Sequence, residues 1–460
     1  MDNSKIYVGL DIGTTSVKVI ICENVKGQLK VVGAGVEPSS GLSRGVIVDI
    51  DQTAKAISRA VDKAASQSDV KVSSVVVGLP ANYLQMKDVH GMITIAEKGQ
   101  SHEIINQDVV DVAKSTLLQN VPTDREIIGL VPREFTVDGF DGIKDPRGMV
   151  GSRLEMQALL YSGPTTVVHN TKKAVEQAGL TIEDMVVGPI ATGFNLLTDG
   201  EQDFGTLVID MGGGQTTASI IHDHQLKYTS VDPEGGYYIT KDISTVLNTS
   251  LRDAEKLKKD HGFADSSRAD ENMMLDVPVV GKDNPVEYSE EYLAEVIEAR
   301  VRQIFQRISD RLDSIRAPKL PGGVVLLGGT AVMPGVAELA GEYFSGKVKV
   351  YRPKLMGVRH PGFATALSLA LYESRLSDVE QLIKQTVQQG ESNDHQRRAV
   401  AASQKPASSQ SHQRKHRLSI SHRAEAAPKS ESQSTDSDSP KSPNRKKEGG
   451  LKSFFSNFFD

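Results

Sequence analysis

The chain has 460 residues, of which 38% are hydrophobic, 24% charged and 5% aromatic, with no Trp and a formal net charge of −6. Domains usually run to about 100–150 residues, so two or three are expected, and no apolar stretch approaches the ~20 residues that span a bilayer, which excludes an integral membrane protein. The opening residues hold no Lys/Arg-flanked apolar run and the lone Cys22 has no partner for an internal disulfide, so the expected setting is the cytoplasm.

From residue 5 the sequence reads as three short β-branched runs broken by turn residues at 13–15 and 25–28, a three-stranded meander. A helix is predicted over about 51–65, then the strand VSSVVVGL. Residues 83–163 alternate strand-like segments such as MITIAE and RLEMQALLY around a helical pattern near 106–118, a length that suits a separate small α/β subdomain. The first pattern then returns in GTLVIDMGGGQTTASIIHDHQLKYTSV. Aligning Asp11 with Asp210 pairs Gly13 with Gly212 and Val19 with Ala218, an offset of 199 residues, which marks an internal duplication. A mostly helical stretch over about 240–316 ends in a helix near 292–315 whose stripe of Leu293, Val296, Ile297, Val301, Ile304, Phe305, Ile308 and Leu312 reads as buried. Its Arg300, Arg302, Arg307 and Arg311 read as a solvated face, open to an acidic peptide of a partner. The strand VVLLGG follows. Two α/β lobes face one another in this reading, with a ligand where the strand ends meet.

The turns carry the chemistry. A tight turn of small residues between two strands leaves backbone N–H groups pointing one way, a concavity suited to an anion. Asp11, Gly13, Thr14 and Thr15 form one such turn, and Asp210, Gly212, Gly213 and Gly214 the other. Glycine permits close approach, the Thr hydroxyls and Lys18 add donors to phosphate, and each Asp at its strand end is placed to hold Mg2+ through water. A third element, LLGGTAVMPG at 326–335, reads as a buried strand leading into a helix whose N-terminus adds an anion- or sugar-facing site. No GxxxxGK[ST] occurs, which excludes a P-loop, and the Gly212 run does not fit GxGxxG. His222, Asp223 and His224 read as a surface turn rather than a metal pair, and Cys22 as a core filler.

Beyond residue 385 the composition changes. Residues 391–448 hold 12 Lys/Arg against 7 Asp/Glu, a balance of +5 that leaves −11 for the rest, together with 13 Ser. Such a segment buries too little apolar surface to order itself and reads as a disordered basic linker that binds anions, nucleic acid or lipid headgroups. No aromatic residue lies between Tyr372 and Phe454, and then four of the twelve Phe fall in the last seven residues. Leu451, Phe454, Phe455, Phe458 and Phe459 sit at i, i+3, i+4, i+7 and i+8, one face of a short helix preceded by Arg445, Lys446 and Lys447. Up to ~2 kcal/mol per buried Phe and ~1 kcal/mol per basic residue near anionic lipid suffice for reversible membrane binding.

With these residues in place, the chain resembles the actin/Hsp70/sugar-kinase ATPase superfamily: the first turn is similar to its phosphate 1 motif, the Asp210 turn to phosphate 2, and residues 327–335 to its adenosine motif. Within the superfamily it resembles the FtsA family of bacterial cell-division proteins. The marks are Gly235-Gly236 with Ile239-Thr240-Lys241-Asp242-Ile243, residues 253–258 followed by His261-Gly262, residues 145–149 with Gly151 and Leu154-Glu155, and Arg359-His360-Pro361. The resemblance covers about 5–385 plus the last ten residues.

That resemblance implies an α/β, actin-like two-lobed fold with a duplicated ribonuclease-H-like core. Subdomain 1A would take residues 1–82, 163–200 and 355–385, subdomain 1C 83–162, subdomain 2A 201–239 and 317–354, and subdomain 2B 240–316. The linker over 386–448 and a membrane-targeting helix over 449–460 would follow. It implies ATP with Mg2+ between the lobes: Gly13, Thr14, Thr15 and Lys18 on the phosphates, Asp11 and Asp210 near the metal, and Gly212, Gly213 and Gly214 on the β and γ phosphates. Gly235 and Gly236 would also bind the nucleotide, Glu255 and Lys258 contact the ribose, and Gly328, Gly329, Thr330 and Met333 the nucleoside. Members that hydrolyse ATP well carry a Glu or Gln between the lobes; residues 187–193 here have no carboxylate or amide, and a missing general base forfeits roughly 10²–10⁴-fold. The implied protein is a self-assembling, peripheral membrane adaptor at the division septum that binds the C-terminal peptide of the tubulin-like FtsZ near Arg300, recruits later division proteins and binds no nucleic acid. A sugar-type kinase of the same superfamily is the alternative.

Overall fold

Runs of Val, Ile and Leu bounded by Gly-containing turns build the first lobe in the computed structural model, which describes residues 5–96, 100–118 and 121–403, the last thirteen as backbone alone. Strands β1 (Lys5–Ile12), β2 (Ser16–Val25) and β3 (Gln28–Pro38) form the expected antiparallel meander. Helix α1 (Ile50–Ala65) is capped by the Asp49 side chain on the Gln52 N–H and buries Ile57, Ala60, Val61 and Ala64 on one face of the sheet. Strand β4 (Ser74–Leu79) then adds parallel to β1.

The chain next leaves the lobe. Strands β5 (Gln85–Thr94), β6 (Arg125–Val137), β7 (Phe140–Ile143) and β8 (Arg153–Pro164) make a separate sheet in the order β7-β6-β8-β5, covered by α2 (Asn106–Leu117). This is the insert read from the alternation over 83–163. Helix α3 (Thr165–Gln177), strand β9 (Thr181–Val187) and helix α4 (Gly188–Leu196) bring the chain back to the first lobe, β9 running parallel to β4 at the sheet edge.

The second lobe repeats the plan. Strands β10 (Thr206–Met211), β11 (Thr216–His222) and β12 (Gln225–Asp232) form its meander. The two-residue turn at Asp223-His224 has φ of 50° and 52°, the left-handed pair a tight hairpin takes. The helices α5 (Gly236–Val246), α6 (Leu251–His261) and α7 (Glu290–Ser314) follow, then β13 (Val324–Leu327), α8 (Val336–Tyr343) and β14 (Val348–Val350). The sheet orders are β9-β4-β1-β2-β3 and β14-β13-β10-β11-β12, the same topology twice. Asp11 pairs with Lys18 and Asp210 with Thr217, so the offset of 199 survives in the strand register. This is the actin-like two-lobed fold with a duplicated ribonuclease-H-like core.

The chain returns to the first lobe in α9 (Ala364–Arg375), which packs Ala366, Leu367 and Ala370 against Tyr7, Ile20 and Cys22 on the other face of that sheet. Cys22 is a core residue, its thiol pKa pushed up to about 12 by burial. Helix α10 (Asp378–Ser403) closes the described chain. It inserts Val379, Ile383 and Val387 into the core of the insert and runs across the boundary expected at 386, because residues 379–389 are Gln, Leu, Val and other helix-tolerant types with an apolar stripe. The rest of the expected linker and the terminal helix, with Arg445, Lys446, Lys447, Leu451, Phe454, Phe455, Phe458 and Phe459, lie outside the described residues.

The arginines of α7 depart from the sequence reading. Its stripe is buried at Leu293, Ile297, Val301, Ile304, Phe305 and Ile308, while Val296 and Leu312, expected with them, are only half-buried at its margin. Arg307 clamps the fully buried Asp232 with two hydrogen bonds, of 2.7 and 2.9 Å, and reaches Glu234 at 2.6 Å. Arg300 holds Asp242 and Glu234, Arg311 lies 3.5 Å from Asp232, and Arg302 bridges Glu298 and Glu342. Arg300, Arg307 and Arg311 form a bonded seam from α7 to the end of β12 and to α5, and Arg302 ties α7 to α8, rather than the four making a free solvated face, because the fold brings in acids from distant segments.

Candidate functional site

A cavity of about 1340 Å³ opens between the lobes, above the roughly 300–1,000 Å³ of ordinary small-molecule pockets. Its floor is made by the two equivalent hairpin turns. In the first the Gly13 N–H donates to Ser16 O at 3.1 Å, and in the second the Gly212 N–H donates to Gln215 O at 3.0 Å. The turns interlock: a methyl group on Gly213 would lie 2.4 Å from Thr15 Oγ1, and one on Gly214 would lie 2.4 Å from Thr14 Oγ1. Glycine at these two positions is what lets the opposite hydroxyls come in.

The strand ends deliver Asp11 and Asp210 to the same floor. Lys18 Nζ donates to Asp11 Oδ2 at 3.2 Å, and Thr365 Oγ1, from the start of α9, donates to Asp210 Oδ2 at 3.2 Å. Burial first, and the neighbouring Asp11 charge second, push Asp210 up from 3.8 to about 6, against the opposing pull of Lys18 and Thr365. The pair is short of positive charge. Among the described residues no cluster of three or more His, Cys, Asp or Glu side chains is placed to hold a metal ion. This donor set fits Mg2+ brought in with phosphate oxygens and held through water, not an ion caged by protein.

The far wall comes from the second lobe. Lys258 Nζ, on α6, bonds Glu255 at 2.6 Å, Gly236 O at 2.9 Å and Thr240 Oγ1 at 2.7 Å. Burial lowers the Lys258 pKa, with Glu255 working the other way. Gly328, Gly329, Thr330 and Met333 line this wall too, Thr330 close to Gly236: a methyl group on Gly236 would lie 2.5 Å from Thr330 Oγ1. Gly328 has a φ of +94°, and a methyl there would meet Asp210 Oδ1 at 2.5 Å, so this turn too is shaped around the strand-end acid.

The structure thus brings Asp11, Gly13, Thr14, Thr15, Lys18, Asp210, Gly212, Gly213, Gly214, Gly236, Glu255, Lys258, Gly328, Gly329, Thr330 and Met333 to one cleft. Gly235 is not in its lining. It stands behind the second turn, with the Gly236 N–H bonded to Gly212 O at 2.9 Å and the Tyr237 N–H to Gly213 O at 2.7 Å. Arg300 also lies outside the lining, in the α7 seam.

The helix expected straight after Gly328-Gly329 does not face the cleft. A short 3-10 turn over Thr330–Val332 and the Pro334-Gly335 pair intervene, and α8 begins against Ala264 and Asp265, so the cleft is lined by the turn and not by a helix N-terminus. Sequence reasoning also passed over Ser39, Arg44, Gly45, Gln215, Tyr238 and Thr365, all in the lining. Of these only Gln215, next to the Gly212 run, carried a signal by position. In the segment joining the lobes, Gly188, Pro189 and Thr192 face the cavity.

Two protein-family models match the chain, "Cell division protein FtsA" over residues 207–368 and "SHS2 domain inserted in FTSA" over residues 81–162. The chain is 51% identical over 387 residues to the cell division protein FtsA of Enterococcus faecalis, spanning 84% of this chain and 88% of that protein. It is 38% identical to the cell division protein FtsA of Bacillus subtilis, over 83% of this chain and 86% of that protein. Among solved structures, a chain of a PilM-PilN type IV pilus biogenesis complex superposes with a TM-score of 0.56 at 17% identity, covering 80% of this chain and 99% of that one, a likeness of fold.

Proposed function

The chain belongs to the FtsA family of cell division proteins, and we propose that it is an ATP-binding, self-assembling adaptor linking FtsZ to the inner face of the cytoplasmic membrane at the division septum. The observation that carries the ATP reading is the pair of interlocked turns with Asp11 and Asp210 on one floor. Gly13, Thr14, Thr15 and Lys18 take the phosphates from one lobe and Gly212, Gly213 and Gly214 from the other. Mg2+, when bound with the nucleotide, supplies the positive charge that the two carboxylates lack. Lys258 and Glu255 are placed for ribose hydroxyls, and the 328–333 turn for the base. Bridged on both sides, the nucleotide holds the lobes at a fixed angle, and that angle is what self-assembly reads.

The membrane part rests on the sequence pattern of the last ten residues: five apolar side chains on one helical face behind three basic residues. Subdomain 2B, around Arg300, takes the FtsZ C-terminal peptide, and the insert takes protomers and later division proteins. The test is co-pelleting of the full chain with FtsZ filaments and anionic vesicles, with and without ATP. FtsZ is expected to follow the vesicles with the wild-type chain and to stay behind with Phe455→Asp. Equal vesicle binding by both chains would defeat the membrane foot, and no recruitment of FtsZ under any condition would defeat the adaptor.

A further inference from the structure

Between β3 and α1 the chain makes a small hairpin, Leu42–Ser43 against Val46–Ile47, that the sequence does not announce. Its root is fixed, because Leu42 and Ile47 are buried in the core of the first lobe. Its tip is Arg44-Gly45, with φ of +49° and +76°, the left-handed pair of a two-residue hairpin turn, taken here by an arginine. The tip lines the cleft between the lobes.

Four contacts fix the tip there. The Gly45 N–H donates to Thr14 Oγ1 at 2.9 Å, which ties it to the first phosphate turn. The Cα of Gly45 lies against the Gln215 amide beside the second turn: a methyl group at Gly45 would fall 2.3 Å from Gln215 Oε1. Arg44 Nε crosses to the second lobe and donates to the Tyr238 hydroxyl on α5 at 2.9 Å, its guanidinium carbon 5.9 Å from that ring's centre. Asn82 Nδ2 donates to Arg44 O at 3.4 Å from the first-lobe side. One turn of two residues therefore touches both lobes and both candidate phosphate turns.

We propose that the Arg44-Gly45 tip is a clasp over the nucleotide, a positioning element that holds the lobes together and sets how fast a bound nucleoside triphosphate leaves. This rests on the nucleotide reading of the cleft. The lobes cannot part without stretching the Arg44–Tyr238 bond, since the hairpin root is anchored in one lobe and Tyr238 belongs to the other. The clasp also prepares the site. A Thr14 hydroxyl whose oxygen already accepts from Gly45 keeps its own proton for a phosphate oxygen, and hydrogen bonds in such a chain strengthen each other. Gln215 Oε1 is buried with no donor, so its amide is held in place by packing against Gly45 rather than by a bond of its own.

The experiment is stopped-flow release of a fluorescent ATP analogue from the full chain, chased with unlabelled ATP, for the wild type, Arg44→Ala, Tyr238→Phe and the double variant. Tyr238→Phe deletes one hydroxyl and keeps the ring, so it reports on the contact without disturbing α5. A partly exposed hydrogen bond to a charged group predicts release about two- to tenfold faster for each single variant. Because the two residues share one contact, the double variant should release no faster than Arg44→Ala. Wild-type binding with release unchanged in both single variants would overturn the clasp and leave the nucleotide reading standing. Release rates that multiply in the double variant would equally overturn it, and no saturable binding by the wild type would overturn both.

Discussion

Asp210→Asn tests the charge deficit at the floor of the cleft. The substitution keeps the shape of the side chain and an oxygen to accept from Thr365, and removes only the charge that burial and Asp11 disfavour. A rise from 3.8 to about 6 is about two units at 1.36 kcal/mol each, so ionised Asp210 costs the folded chain at most about 3 kcal/mol, less whatever cleft water screens. The sign follows from linkage: the folded value lies above the unfolded one, so the cost is absent below about pH 4, grows through pH 4–6 and is fully present above pH 6. Asp210→Asn should therefore stabilise the nucleotide-free protein at pH 8, with roughly half that gain at pH 5. Unfolding entropy of about 2.1 cal/mol/K per residue over the body of residues 1–391 turns the gain into roughly 3–4 °C at most. Thermal unfolding at the two pH values measures it, and added Mg-ATP should raise the Tm of the wild type but not of the variant. No gain at pH 8, or the same gain at pH 5, would refute the account of the floor as two carboxylates short of a cation.

Arg307→Ala should cost about 3–5 kcal/mol in denaturant unfolding, towards the lower figure because Arg311 remains 3.5 Å from the fully buried Asp232; an unchanged midpoint would show that the seam is ornamental. Arg307→Lys should restore only part of the loss, since an ammonium cannot reproduce the two-point clamp on Asp232. Ile383→Ala, a fully buried site where α10 meets the insert, should cost about 2–5 kcal/mol and make the insert the first part cut in limited proteolysis; cleavage confined elsewhere would contradict the shared core. Steady-state ATP turnover should stay below about 1 s⁻¹, because Gly188, Pro189 and Thr192 are what the lobe-joining segment presents to the cavity; faster turnover would mean that another group orients the water.

What the sequence made legible was local and periodic. The meanders are readable because β-branched runs alternate with turn residues, an Asp-x-Gly in the first turn of each, and the duplication because the register repeats with that turn. Pairings over long separations were not. The stripe on α7 follows from its 3.6 period, but no pattern says that Arg307 will meet Asp232 and Glu234, or Arg300 Asp242, because those acids arrive from elements that only the fold puts beside α7. The clasp was missed for a related reason: Ser-Arg-Gly lacks the Asn-Gly signature of a left-handed hairpin turn, and the contacts that hold Arg44 at φ +49° come from Tyr238 and Asn82. Around 330 the Pro334-Gly335 pair was the overlooked signal, since a proline followed by a glycine at φ +88° breaks the run from strand to helix.

The route by which the chain leaves the first lobe bears on how the insert and the cleft are connected. Helix α10 buries Val379, Ile383 and Val387 in the insert, while Lys384 pairs with Glu373 and Gln388 Nε2 donates to Glu183 O on the first lobe at 2.9 Å. Helix α10 thus meets the seam between insert and first lobe and has no residue in the lining of the cleft. Helix α9 touches both places: Thr365 near its start bonds Asp210, and Glu373 near its end bonds Lys384. Its Ala366, Leu367 and Ala370 are packed on the first sheet. It therefore links that seam, through Glu373, to the cleft floor, through Thr365. Its small residues let the helix approach the sheet so closely that a methyl group on Gly9 would fall 2.0 Å from Ala366 O, so any larger residue at Gly9 would push the helix off the strand that carries Asp11.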